Sequence, residues 1–131
     1  LLDRIDLHVE VTPLPIADLG GEHQSESSAV IRERVIKARQ LQQERYKEIP
    51  GMHSNAQIGT KQLHTYCNIG DAGKALLSKA MERLGLSARA YDRSLKVSRT
   101  IAELAESEDI QIEHLAEAIQ FRSLDRESWA G

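Results

Sequence analysis

Ile5, Leu7, Val9 and Val11 alternate with Asp6, His8 and Glu10. Period-two alternation is that of a strand with one buried face. Pro13 and Pro15 end it, because proline brings no N–H to a ladder. A lone strand is marginal, so its sheet partners are expected in a segment outside this chain. Residues 16–27, "IADLGGEHQSES", are polar, carry Gly20-Gly21 and read as a linker.

Beyond the linker the period changes to that of helices. Ser27 or Ser28 is placed to cap a helix. Ile31, Val35, Ala38 and Ile49 then share one face, with Arg32, Glu33, Lys37, Arg39, Gln40, Gln43 and Glu44 elsewhere. A helix is predicted over 28–46, stopped by Pro50-Gly51. "HSNAQIGTKQLHTYC" reads as a loop and a short helix over 60–66. Asp71 is a good N-cap for "AGKALLSKAMERL" and Gly85 a good terminator. Ser87 caps the next helix, which runs to residue 104. An acidic turn, Glu106 to Asp109, precedes "IEHLAEAIQFR", where Ile112, Leu115, Ala116 and Ile119 are spaced as one helical face. The expected fold class is mainly α: one orphan strand followed by a bundle of four or five helices joined by short loops.

Composition narrows the function. The chain has 131 residues, enough for one domain with a core. Aromatics make up 4%, so that core must rest on Leu, Ile, Val and Ala. Lys and Arg total 17 against 20 Asp and Glu, a formal net charge of -3. A basic surface over the whole protein is excluded, and any cationic site must be local. The lone cysteine, Cys67, excludes a disulfide within the chain and suits a reducing compartment. No apolar run approaches the ~20 residues of a membrane span, and no signal peptide is visible. A cytoplasmic protein with no membrane partner is expected. The chain opens on Leu rather than Met, which reads as a fragment of something longer.

Positive charge is concentrated in "LSARAYDRSLKVSRTIAEL", residues 86–104, with three arginines and a lysine. On a helical projection Tyr91, Leu95, Ser98 and Ala102 fall on one side, broadened by Val97, Ile101 and Leu104. Arg89, Arg93, Lys96 and Thr100 make a narrow stripe elsewhere, with Arg99 and Asp92 on a flank. Such a stripe is either a solvated face or an anion site. Cations near a helix N-terminus suit phosphate, and Arg suits it in bidentate fashion. The pattern alone leaves both open.

"LLDRIDLHVEV", "SSAVIRERVIKARQLQQERY", "NAQI", "LSARAYDRSLKVSRTIAEL" and "HLAEAIQFR" together resemble the C-terminal part of magnesium-chelatase-like AAA+ ATPases, in the competence-associated group that resembles hexameric branch-migration helicases. The resemblance spans nearly the whole chain. It implies that residues 1–15 end a nucleotide-binding core, 16–27 link it to a helical lid over 28–125, and 126–131 form a tail. It implies that Arg4 is an arginine finger acting on ATP bound by a neighbouring subunit. Arg89 matches a sensor-2 arginine touching ATP in its own subunit, and Arg93 is a further candidate for nucleotide binding. ATP and Mg²⁺ are the implied cofactors of the full-length protein, neighbouring copies in a homo-oligomeric ring and DNA the implied partners.

No G-x-x-x-x-G-K-[ST] loop occurs in the chain. "NIGDAGKAL" mimics one, but its glycines are wrongly spaced and Lys74 precedes Ala75. The fragment is therefore expected not to hydrolyse ATP alone. His64 and Cys67 sit at i, i+3 with only His53 as a nearby third, short of a zinc set, and Cys67 has no evident base partner. His114 reads as a packed histidine. Arg32, Arg34, Lys37, Arg39 and Arg45, mixed with Glu33 and Glu44, read as a solvated face in preference to a DNA contact. Alternatives to a DNA-directed ATPase are a magnesium chelatase motor inserting metal into a porphyrin, and a helical binding or scaffold domain.

Overall fold

The structure is a computed structural model that describes residues 4–11, 13 and 25–122. Five α-helices are described: α1 (Ser28–Tyr46), α2 (Thr60–Tyr66), α3 (Asp71–Leu84), α4 (Ala88–Leu104) and α5 (Ile112–Gln120), with a single 3-10 turn at Asn55–Gln57 between α1 and α2. The mainly α expectation holds. Of the linker expected over 16–27, residues 16–24 lie outside the described residues, as do residues 123–125 of the expected lid and the tail expected over 126–131.

Local chemistry sets the helix ends. The Val30 N–H donates to Ser27 Oγ at 3.2 Å, and the Ala90 N–H to Ser87 Oγ at 3.2 Å. Each serine thus satisfies an amide with no partner inside its helix. At α3 the cap is Gly70 and Asp71 stands in the first turn. There its carboxylate faces the positive end of the helix dipole instead of capping through a hydrogen bond. Gly85 ends α3 at φ 63°, ψ 38°, a left-handed conformation that glycine adopts without Cβ strain.

Helix α4 is the central element. It packs on α1, α2, α5 and the 3-10 turn, while α3 packs on α5. The core joins Tyr46, Ile58, Leu63, Cys67, Ile69, Leu77, Leu95, Ala102, Ile110 and Leu115. Gly73 lets α3 approach α5 closely: a Cβ there would lie 2.8 Å from Leu115 Cδ1.

Two helices bury faces turned partly away from those the apolar spacing indicates, keeping Ala38 and Leu115 inside. In α1 the buried residues are Ala38, Gln42 and Tyr46, while Ile31 and Val35 stay exposed. They line a groove of about 1110 Å³ shared with Val97, Ile101 and Leu104 of α4, so no described helix covers them. In α5 the buried residues are His114, Leu115 and Ala118, and Ile112 is exposed. The helix is turned so that His114, whose Nδ1 accepts the Gln111 N–H at 2.9 Å, lies against the bundle.

Residues 5–11 join no ladder among the described residues. Ile5, Leu7, Val9 and Val11 are exposed, whereas His8 is buried. What ties the segment to the bundle is polar. The His8 N–H donates to the Phe121 carbonyl at 2.8 Å. The wholly buried Arg122 guanidinium donates to the carbonyls of Ile5 and Asp6.

Candidate functional site

The cationic stripe on α4 is divided by its surroundings. Arg89, in the first turn beyond the Ser87 cap, is exposed and has no ion-pair partner among the described residues. Arg93, one turn on, forms an ion pair with the Asp6 carboxylate. Lys96 lines the wide groove. The Thr100 hydroxyl donates to the Lys96 carbonyl at 3.3 Å and accepts from Asn55 Nδ2 at 3.0 Å. Arg99, on the flank, is buried, and its guanidinium donates to the carbonyls of Glu108 at 2.8 Å and Ser107 at 3.3 Å. It closes the acidic turn after α4, where Glu106 adopts φ 56°. So among the three arginines of this helix, two are held within the fold and Arg89 is exposed without a charged partner among the described residues. Arg4 is also exposed, just ahead of the tethered segment.

A second polar centre, invisible to motif reading, lies behind α4. Asn55 is 2% exposed and makes hydrogen bonds with five residues, Thr100 among them. Its N–H donates to Gln42 Oε1 at 2.9 Å and its Nδ2 to Glu103 Oε1 at 2.7 Å. Its Oδ1 accepts from the Tyr46 hydroxyl at 2.6 Å and from Arg45 at 3.2 Å. Arg45 also forms an ion pair with the buried Glu103, and its guanidinium lies 5.5 Å from the Tyr46 ring centroid. Burial alone would lower the Arg45 pKa, but hydrogen bonding and charge attraction from Glu103 and Tyr46 together outweigh it, and the net direction is up. Burial raises the Tyr46 pKa, against the opposing pull of Arg45. Tyr46 also meets Tyr66 edge-on, ring centroids 5.2 Å apart. The spacing of Ala38, Gln42 and Tyr46, each four residues from the last, was the available signal for this face of α1. Reading only apolar residues passes over it.

Every group of this centre has a partner, which marks it as structural support. It fixes the 3-10 turn and α1 against α4 and so sets the rotation at which α4 presents Arg89 and Arg93.

Other candidates fall into place. Burial pushes the Cys67 thiol up to about 11, the reverse of what a nucleophile needs. His64 and His53 are exposed while Cys67 is buried. Among the described residues no group of three or more His, Cys, Asp or Glu is arranged to hold a metal ion. Lys74 is exposed in the first turns of α3, so "NIGDAGKAL" is a helix start. No described helix is long and apolar enough to cross a membrane.

Comparison with known proteins agrees with this architecture. Residues 25–122 match the family described as "Magnesium chelatase, subunit ChlI C-terminal". The chain is 44% identical over 126 residues to competence protein ComM of Haemophilus influenzae, covering 95% of this chain and 24% of that protein. It is 39% identical over 127 residues to the uncharacterized protein YifB of Salmonella typhimurium, covering 95% of this chain and 24% of that protein. A more distant relative, the uncharacterized protein Rv2897c of Mycobacterium tuberculosis, is 32% identical over 122 residues, covering 93% and 24%. The chain therefore spans about a quarter of the length of these relatives, and it belongs to the magnesium chelatase ChlI C-terminal family.

Proposed function

We propose that the chain is the finger-and-lid region of a ring-forming AAA+ ATPase that works on DNA. In this reading residues 1–15 end the nucleotide-binding core, 16–27 link it to the lid, and the lid occupies 28–125. Arg89 acts as the sensor-2 arginine toward ATP in its own subunit. Arg4 acts in trans, reaching the γ-phosphate bound by a neighbouring copy. The observation that carries the reading is the isolation of Arg89. A guanidinium at a helix N-terminus, exposed and without an ion-pair partner among the described residues, suits a phosphate oxygen.

The chemistry asks for this. As water attacks the γ-phosphorus and the bond to the β–γ bridging oxygen breaks, negative charge grows on the transferring oxygens. A guanidinium fixed beside them offsets that charge without having to reorganise. Mg²⁺ bound with ATP neutralises the phosphates further. Its ligands and the phosphate loop lie, in this reading, outside these 131 residues. The relative named a competence protein is the reason this reading puts DNA first as the client. The family description favours a second client, a porphyrin receiving a metal ion.

The test uses the full-length protein. Arg4→Ala is expected to spare ATP binding and to lower hydrolysis by roughly 10³- to 10⁵-fold. Adding a subunit that keeps Arg4 but cannot bind ATP restores part of the turnover in mixed rings. Arg89→Ala is expected to shift unfolding free energy by no more than about 0.5 kcal/mol while impairing ATPase. A large stability loss with normal ATPase would make Arg89 structural and end this reading. Stimulation of turnover by branched DNA, against stimulation by a porphyrin, separates the two clients.

A further inference from the structure

Asp6 is two residues beyond Arg4, and Arg93 is one helical turn beyond Arg89. The ion pair between Asp6 and Arg93 joins these two neighbourhoods across 87 residues of sequence. It does not act alone. Arg122, 0% exposed, donates to the carbonyl of Ile5 and, at 3.3 Å, to that of Asp6. The His8 N–H is held by the Phe121 carbonyl at 2.8 Å. A guanidinium buried this completely is costly unless its donors are used. Part of the donor set of Arg122 goes to the backbone of residues 5 and 6.

The apolar side chains do not explain the attachment, since Ile5 and Leu7 are 43% and 48% exposed. Position is set by directional contacts, to a carboxylate, to two carbonyls and through a backbone amide. Such contacts fix register and orientation more sharply than apolar burial does.

We propose that Asp6, Arg93 and Arg122 form a latch that fixes the Arg4 segment to the helix bearing Arg89. Arg93 and Arg122 are then positioning residues, and Arg93 does not touch nucleotide. The proposal rests on the reading of Arg4 as finger and Arg89 as sensor. Its consequence is mechanical. When α4 shifts as Arg89 meets ATP in one subunit, the latch carries Arg4 with it toward the ATP of the next. The two sites are coupled through a single rigid joint, not through the long path of the intervening chain.

The experiment measures ATPase kinetics of the full-length protein carrying Asp6→Asn, Arg93→Gln, or the charge swap Asp6→Arg with Arg93→Asp. Arg4→Ala is measured beside them. Arg122→Ala is avoided, because removing a buried guanidinium endangers folding, whereas Asp6 and Arg93 are partly exposed. Amide exchange at His8 reports whether the segment has been released. Misplacing a reacting group by about 1 Å costs on the order of 10² in rate. The expected result is a kcat lowered roughly tenfold to a hundredfold in both single variants, with the KM for ATP nearly unchanged and His8 exchange faster. The swap restores most of kcat and slows exchange again. If Asp6→Asn keeps the parent kcat while Arg4→Ala loses turnover, the latch is wrong and the finger reading stands. If Arg93→Gln raises the KM for ATP while Asp6→Asn is silent, Arg93 binds nucleotide and the latch is wrong. If Arg4→Ala itself leaves turnover intact, the finger reading falls and the coupling falls with it.

Discussion

Replacing Asn55 with Ala removes the four side-chain hydrogen bonds that join α1, the 3-10 turn and α4, and leaves its N–H on Gln42. The consequences differ by partner. Thr100 keeps its own bond to the Lys96 carbonyl, and Arg45 keeps Glu103. The Tyr46 hydroxyl, on a residue 1% exposed, loses its acceptor, and Glu103, 2% exposed, loses one of its donors. A buried polar group stripped of a partner costs about 1–3 kcal/mol, more when charged. Two such groups give an expected loss of about 3–5 kcal/mol. Set against a total stability of roughly 5–15 kcal/mol, that is a large share. With a urea slope of about 2 kcal/mol per M, the unfolding midpoint falls by roughly 2 M. Asn55→Asp keeps the volume but points a second carboxylate at Glu103, and is expected to be destabilised at neutral pH as well. Crowding by Glu103 holds the new carboxyl's proton more tightly in the fold. That variant therefore regains stability as pH falls toward the ordinary carboxyl value of about 3.9. Urea titrations of both variants decide the matter. An alanine variant that loses less than about 1 kcal/mol would refute the hydrogen-bond argument.

Gly73→Ala raises intrinsic helix preference by about 1 kcal/mol, yet its Cβ would meet Leu115 Cδ1 at 2.8 Å and Ile69 Cβ at 3.1 Å. Overpacking of about 1–3 kcal/mol should win, and a thermal melt showing a stabilised variant would overturn this account of the α3–α5 contact. The Cys67 thiol, raised from 9.0 to about 11, stays protonated in the fold while it ionises in the unfolded chain. Its stabilising contribution is whole below pH 9 and is lost as pH rises to about 11, a fall of roughly 2–3 kcal/mol. Cys67→Ala should flatten that part of the stability profile, and an unchanged slope would show that the thiol is not the cause.

Much of the fold was legible because helix boundaries are local chemistry. Ser27, Ser87 and Gly85 each act within one turn of themselves, so position in sequence suffices to place them. Rotation of a helix about its axis is not local. Ile31 and Val35 have the right spacing for a core face, but which stripe of α1 meets α4 is decided by Gln42 and Tyr46 seeking Asn55, thirteen and nine residues away. Polar residues that become buried together are silent in an apolar pattern, because each looks like surface until its partner is placed.

The same reasoning separates the arginines. Arg89, Arg93 and Arg99 are alike in charge, in helix and in motif, and projection alone groups Arg89 with Arg93. What divides them is tertiary: Arg99 meets two carbonyls past the end of its own helix, Arg93 meets a carboxylate 87 residues upstream, and Arg89 meets no charged partner among the described residues. A guanidinium tied to fixed oxygens is already occupied, and reaching a phosphate would require it to break those bonds first, at a cost of about 1.5–3 kcal/mol for each charged hydrogen bond. An untied one reaches the same phosphate without that loss. In the proposed reading, the capacity of α4 to meet a phosphate therefore concentrates in its first turn. Arg93 and Arg99 are instead committed to holding the residue 5–6 segment and the acidic loop against the helix.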